Sequence, residues 1–354
     1  MLPGCELRKC AIKSGAREYF LKQILEFLMT INRRAFLSGL AAAPAAALAT
    51  GLAGSNWAWA AEGSAAAGPV IHPFSLGDAR ITVLLDGHLP LGTQLFNDYD
   101  AAKAEAVLAQ GLHRLQNDAL QIPVNGYLVE RGGKKLLIDT GTAQLMGPGL
   151  GALGAGLAAA GVAPGSIDTV LLTHIHPDHS GGLITPDGAA AFANAELVVA
   201  QREWDFWHDD AIMAGVPESS RGFFDMARRS VAPYADRLRL LQGEGEAAPG
   251  FTAVELPGHT PGHTGFMLDA GGEGLLFWGD LIHSAALQFA LPDWTIAFDT
   301  DPVQTAQTRR KMMDRAAADN LLVTGAHLDF PALGRVLRQG DAFAYQAAPW
   351  QFGI

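Results

Sequence analysis

The chain has 354 residues, 49% of them apolar and 17% charged, which supplies enough apolar material for a large core and excludes a disordered polymer. It carries 36 acidic against 25 basic residues, a formal charge of −11, a field that repels nucleic-acid backbones and argues against nucleic acid as a partner. Both cysteines, Cys5 and Cys10, fall in the first ten residues, so metal ligands in the body of the chain must be histidines or carboxylates and disulfides play no part there.

Residues 1–60 read as a targeting segment. Asn32-Arg33-Arg34-Ala35-Phe36-Leu37 is a twin-arginine pattern, followed by an Ala-rich, moderately apolar stretch that Pro44, Gly51 and Gly54 interrupt. Ala58-Trp59-Ala60 then gives a small-x-small cleavage site, so export to the periplasm or medium is expected, with no stable membrane insertion of the mature chain. Met29 stands four residues before Arg33 and offers an alternative start, leaving residues 1–28 as an extension. Residues 61–354 keep 18 basic and 33 acidic residues, a formal charge of −15, which favours a small neutral or cationic substrate. Their length and lack of a long linker predict one catalytic domain, and a homodimer is compatible with this reading.

In chain order, strand-like runs occur at 81–85, 126–130, 135–138, 169–172, 196–200, 252–256, 265–268 and 275–277. Helices are predicted over 100–115, with Asp98 and Asp100 at its positive end, and over 302–318. The Gly/Ala-rich stretch 147–165 reads as a loose loop and helix. Such a succession fits two facing sheets with helices outside.

The most informative segment follows the run 169–172: Thr173-His174-Ile175-His176-Pro177-Asp178-His179. Three imidazoles and a carboxylate in six positions exceed anything that packing requires. His174 and His176 alternate by two and can face one way, whereas Pro177 turns the chain so that Asp178 and His179 can face a second ion. Two ions need further ligands and a bridging carboxylate. Candidates stand just past later apolar runs: His259 and His263 in Gly258-His259-Thr260-Pro261-Gly262-His263, Asp280 in Gly279-Asp280, and His327 in Thr324-Gly325-Ala326-His327. Spacing alone does not choose between His259 and His263.

Through these four motifs, in this order, the chain resembles the metallo-β-lactamase superfamily from about residue 70 onward. Within it the chain is similar to methyl parathion hydrolase and its lactonase relatives, through Glu203-Trp204-Asp205-Phe206-Trp207, Arg221-Gly222-Phe223-Phe224, Gly279-Asp280-Leu281-Ile282 and His327-Leu328-Asp329-Phe330-Pro331. The resemblance implies an αββα sandwich of the α/β class. It implies His174, His176 and His259 on one ion, Asp178, His179 and His327 on the other, and Asp280 bridging, with His263 structural. Asp139, which closes the strand 135–138, matches the position that supports a ligand histidine, although a plain strand-end turn would use the same residue. Trp207 and Phe223 resemble aromatics at a pocket entrance, with helical core packing as the alternative. His283, three residues after Asp280, reads as pocket lining; His72, His88, His113 and His208 match no ligand position and read mostly as surface.

Two divalent ions, zinc above all with manganese, iron or cobalt able to use the same donors, would lower the pKa of a shared water from about 16 to about neutrality. The resulting bridging hydroxide would be the nucleophile, with Asp280 and Asp178 as its carboxylate anchors. Lactones, aryl esters and organophosphate triesters all suit that chemistry. An iron-dependent oxidoreductase of the same fold and a non-catalytic metal-binding protein are the alternatives, and a β-lactamase activity fits this ligand set less well.

Overall fold

The computed structural model describes residues 68–349 apart from Gln144 and Pro148. The twin-arginine segment, Met29, both cysteines and the cleavage site therefore lie outside the described residues. Residues 68–215 and 223–349 group into one compact unit, while Val216–Gly222 group apart from it. Among the described residues no helix is long and apolar enough to cross a membrane.

Fourteen described strands form two seven-stranded sheets, ordered β1 to β7 and β14 to β8. The first holds β1 (Ile71–Leu76), β2 (Ala79–Gly92), β3 (Ala119–Arg131), β4 (Lys134–Ile138), β5 (Thr169–Leu171), β6 (Glu196–Ala200) and β7 (Leu238–Leu241). The second holds β8 (Gly245–Ala248), β9 (Phe251–Glu255), β10 (Thr264–Asp269), β11 (Gly274–Phe277), β12 (Leu322–Thr324), β13 (Gly334–Gln339) and β14 (Ala342–Ala347).

Side-chain alternation explains how the sheets pack. Ile81 and Val83 of β2, with Tyr127, Val129, Leu136 and Ile138, meet Phe251, Phe266, Leu268, Leu275 and Phe277 in one buried cluster between the sheets. The intervening residues Leu276 and Trp278 point to the opposite face, where they join Met312, Met313 and Ala316. Those three belong to the long helix Pro302–Ala318, which begins as predicted with Asp301 capping the backbone N–H of Gln304. On the first sheet's outer face, the helix Leu153–Ala159 lies against Leu84 and Ile71 through its Gly156. Helix, sheet, sheet and helix thus make the αββα sandwich.

Two expectations change. The helix at 101 runs only from Ala101 to Leu108, because Gly111 follows and the Arg114 guanidinium takes up carbonyls that a longer helix would use internally, those of Gly111 and His113 at 3.0 and 2.7 Å. Within 147–165 the expected helix is present as Leu153–Ala159, but the loop before it, from 149 on, is tied down rather than loose. The buried Asp86 carboxylate accepts from Thr142 N and Oγ1 and from Gly151 N, and its other oxygen accepts from Leu153 N at the start of the helix.

The strand ends place the chemistry. β4, β5 and β6 run parallel, as do β11 and β12, so the segments after β4, β5, β11 and β12 leave their sheets in common directions. The loops following β5, β9, β11 and β12 carry all the candidate ligands.

Candidate metal centre

His174 stands three residues past the end of β5 and is fully buried. His176 caps a single helical turn, Pro177–Ser180, in which the proline occupies the first position and loses no hydrogen bond. That turn aims Asp178 and His179 at Asp280 and His327, while the His179 ring stays 4.1 Å, centroid to centroid, from that of His174. The structure brings together His174, His176, His259 and Asp280 in one group, and Asp178, His179, Asp280 and His327 in a second; within each, one donor atom per residue lies within 4.8 Å of every other. Asp280 is common to both. His263 belongs to neither: its Nδ1 donates to Leu256 O at 2.9 Å and its Nε2 accepts the backbone N–H of Asp280 at 3.0 Å, so no lone pair remains for an ion.

Hydrogen bonds on the far side of each ring fix which nitrogen points inward. His259 Nδ1 donates to Asp299 at 2.9 Å, His179 Nδ1 to Asp139 at 2.8 Å, and His327 Nδ1 to the Pro123 carbonyl at 2.8 Å. Thr173 Oγ1 gives its proton to Asp139, so it accepts from His174 Nδ1 at 3.0 Å. In all four rings the bare Nε2 therefore faces the cluster. His176 Nδ1 faces it too, 2.9 Å from His174 Nε2 and 3.0 Å from His259 Nε2. Converging lone pairs repel unless a cation lies between them.

The carboxylates tell the same story. Asp280 Oδ2 lies 3.2 Å from His327 Nε2 and 3.3 Å from His259 Nε2, while its Oδ1 and His179 Nε2 are buried with no hydrogen-bond partner. Burial alone would raise the Asp280 pKa, yet His179, His327 and His174 hold it well below the usual carboxylate range. Burial likewise depresses His259, and Asp280 and Asp299 overcome this and carry it up to about 9. Without a metal the cluster would recruit protons as its positive charge. The donor set, five imidazoles and two carboxylates with no thiolate, fits two borderline divalent ions.

Asp139 supports two ligands. Besides His179 it accepts from Thr173 N and Oγ1, both at 2.9 Å, and it holds a left-handed backbone with φ of 56°. The cluster has one more imidazole, His283, whose ring stacks on His327 with centroids 5.2 Å apart and whose Nε2 lies 3.2 Å from Asp280 Oδ2. Burial lowers its pKa to about 4 against the opposing charge of Asp280. Trp207 is buried edge-on against His176, with centroids 5.4 Å apart, and packs on Phe206 and Phe224; Phe223 is half-buried. Of the histidines outside the ligand motifs, His88 is exposed, His113 pairs with Asp329, and His208 donates to Trp204 O, but His72 is buried in β1 rather than at the surface.

Residues 120–327 match the family model described as the metallo-beta-lactamase superfamily, a span that takes in every ligand-bearing loop. The chain belongs to that superfamily. It is similar to the crystal structure of hydrolase AbOPH in the beta lactamase superfamily, with 32% identity and a TM-score of 0.76 over 82% of this chain and all of that one. It is also similar to AidC, a dizinc quorum-quenching lactonase solved with the product N-hexanoyl-L-homoserine, at 25% identity and a TM-score of 0.74, covering 80% of this chain and 99% of that one. Among curated relatives, N-acyl homoserine lactonase AttM of Azorhizobium caulinodans is 28% identical over 180 residues, 47% of this chain and 60% of its own length. An N-acyl homoserine lactonase of a Bacillus species is 24% identical over 171 residues, again 60% of its length. The match thus spans about three fifths of these relatives. Asp299, Glu203 and the Pro123 carbonyl are members of the site that the sequence does not announce, since each is brought in by the fold alone.

Proposed function

We propose that this chain is a dinuclear-metal hydrolase of small neutral esters, with lactones as the favoured class and aryl esters and phosphotriesters as further substrates. The observation that carries this reading is the sharing of Asp280 between two four-residue groups whose inward nitrogens are bare. His174, His176 and His259 would hold one ion and Asp178, His179 and His327 the other, with Asp280 between them. When bound, a pair of divalent ions, zinc being the best match, polarises an ester oxygen and supplies an ionised water near neutral pH. The chain's own residues do the rest. Asp139, Asp299 and the Pro123 carbonyl fix the rings, so little reorganisation is needed when charge develops. Trp207 and Phe223 are proposed to bound the substrate side, with His283 lining the floor beside Asp280. The similarity to AidC and to the AttM lactonase supports lactones over the other esters, and the seven-residue set supports a hydrolase over an iron oxidoreductase or a storage protein. We also propose export through the twin-arginine segment.

The test is a substrate panel on protein reconstituted with zinc: an acyl-homoserine lactone, dihydrocoumarin, a nitrophenyl ester, methyl parathion and nitrocefin, compared by kcat/KM. The expected result is highest kcat/KM on a lactone. Turnover of none of the five by protein holding two ions would sink the reading.

A further inference from the structure

Glu203 is a fully buried carboxylate in the first turn of the helix Gln201–His208, outside both ligand groups. Its two oxygens receive four donors. Oε1 accepts from Ile175 N at 2.9 Å and Trp207 Nε1 at 2.6 Å, and Oε2 accepts from Thr260 Oγ1 at 2.6 Å and Gly262 N at 3.2 Å. Two of these donors are backbone N–H groups and a third is an indole, none of which can reverse its role, so the side chain has to be an acceptor on both sides. Such a set satisfies an ionised carboxylate in a place where an unpaired one would be costly.

Its partners are selective. Ile175 is the residue between His174 and His176, Thr260 is the neighbour of His259, and Trp207 packs on the ring of His176. Three of the four contacts thus reach the group of three histidines, the fourth, Gly262 N, lies in the same loop as His259, and none reaches Asp178, His179 or His327. Close packing reinforces the grip: a Cβ on Gly262 would stand 2.1 Å from Glu203 N, so only glycine lets that loop approach.

We infer that Glu203 is a positioning residue for one ion alone, tying the loop after β5 to the loop after β9 so that His174, His176 and His259 converge, and adding a buried negative charge behind them. Asp139, by contrast, reaches both groups, His179 directly and His174 by way of Thr173. This inference rests on the metal-centre reading above.

The experiment is zinc binding by competition with a chromophoric chelator, done in two backgrounds that each leave one group whole. His327→Ala keeps the three-histidine group and His259→Ala keeps the other. Glu203→Gln, which preserves shape and removes the charge, is expected to weaken zinc about 10- to 100-fold in the His327→Ala background and to leave the affinity in the His259→Ala background unchanged. Thr260→Val, which deletes a single donor, tests the same point with a smaller change of about 10-fold should Glu203→Gln fail to fold. Equal weakening in both backgrounds would reduce Glu203 to a general structural role and overturn the assignment, as would no weakening in the first. Unaltered protein that fails to bind two zinc ions overturns the metal-centre reading itself, and Glu203's assignment with it.

Discussion

At the scale of single residues, Asp280 is the side chain on which both groups depend. Its backbone N–H is held by His263 and its oxygens face His174, His179, His259, His283 and His327. Replacement of one oxygen by an amide in Asp280→Asn keeps the shape but loses the charge that both ions would share. We expect kcat/KM to fall by at least about 100-fold and the zinc content to drop, while circular dichroism stays native; full activity in this variant would contradict the shared role. The ligand residues were legible because metal sites here are written as short contiguous motifs: His174 to His179 declare themselves, and Asp280 and His327 stand beside glycines at strand ends. His259 and His263 were not separable by spacing. They separate only through partners, Asp299 on one ring and Leu256 O with Asp280 N on the other. Glu203 stood in a family cue with no role attached, because its bonds to the two histidine loops span 28 to 59 positions, and Asp299's bond to His259 spans 40.

At the scale of elements, the turns after the strands carry more information than the strands. Gly279 has φ of 54°, and a Cβ there would stand 2.6 Å from His263 Nε2. Gly279→Ala should therefore cost on the order of 1–3 kcal/mol in backbone strain alone and push His263 off the Asp280 backbone. Urea unfolding measures the first effect and zinc titration the second. Asp86 does for the helix Leu153–Ala159 what a capping residue does elsewhere, with four donors converging on one buried carboxylate. Asp86→Ala should lower the unfolding free energy by more than about 2 kcal/mol, since those donors lose their acceptor; an unchanged urea midpoint would show that water replaces it. The central strands were readable because apolar runs and β-branched residues mark them, β2 and β6 above all. The edge strands were not: β8, Gly245–Ala248, has no large apolar residue, and β14 buries only Phe343 and exposes its last two residues. Both form because the adjoining hairpin strand, β9 or β13, offers a ladder, so little in their own residues has to mark them.

At the scale of the whole molecule, the composition foretold a large core and the succession of elements its two layers, and Phe266 and Phe277 are almost fully buried between the sheets. Phe266→Ala should cost about 3–5 kcal/mol through the cavity it leaves, read as a lower melting temperature with the substrate order unchanged. Chelation acts on the same scale. Ions bound only to the folded chain, at about 100 times their Kd, add about 2.7 kcal/mol per site. Dialysis against a strong chelator should then lower the melting temperature by about 5–10 °C, restored by zinc; identical melting curves with and without chelator would mean that no such ion is held.

Each of the two donor groups draws half its members from either layer: His174 with His176, and Asp178 with His179, come from loops of the first sheet, whereas His259, Asp280 and His327 come from loops of the second. Neither layer owns a full coordination sphere. Metal loading would therefore act as a rivet between the halves, and a chain cut in the segment between Leu241 and Gly245 is expected to yield two fragments whose reunion zinc strengthens.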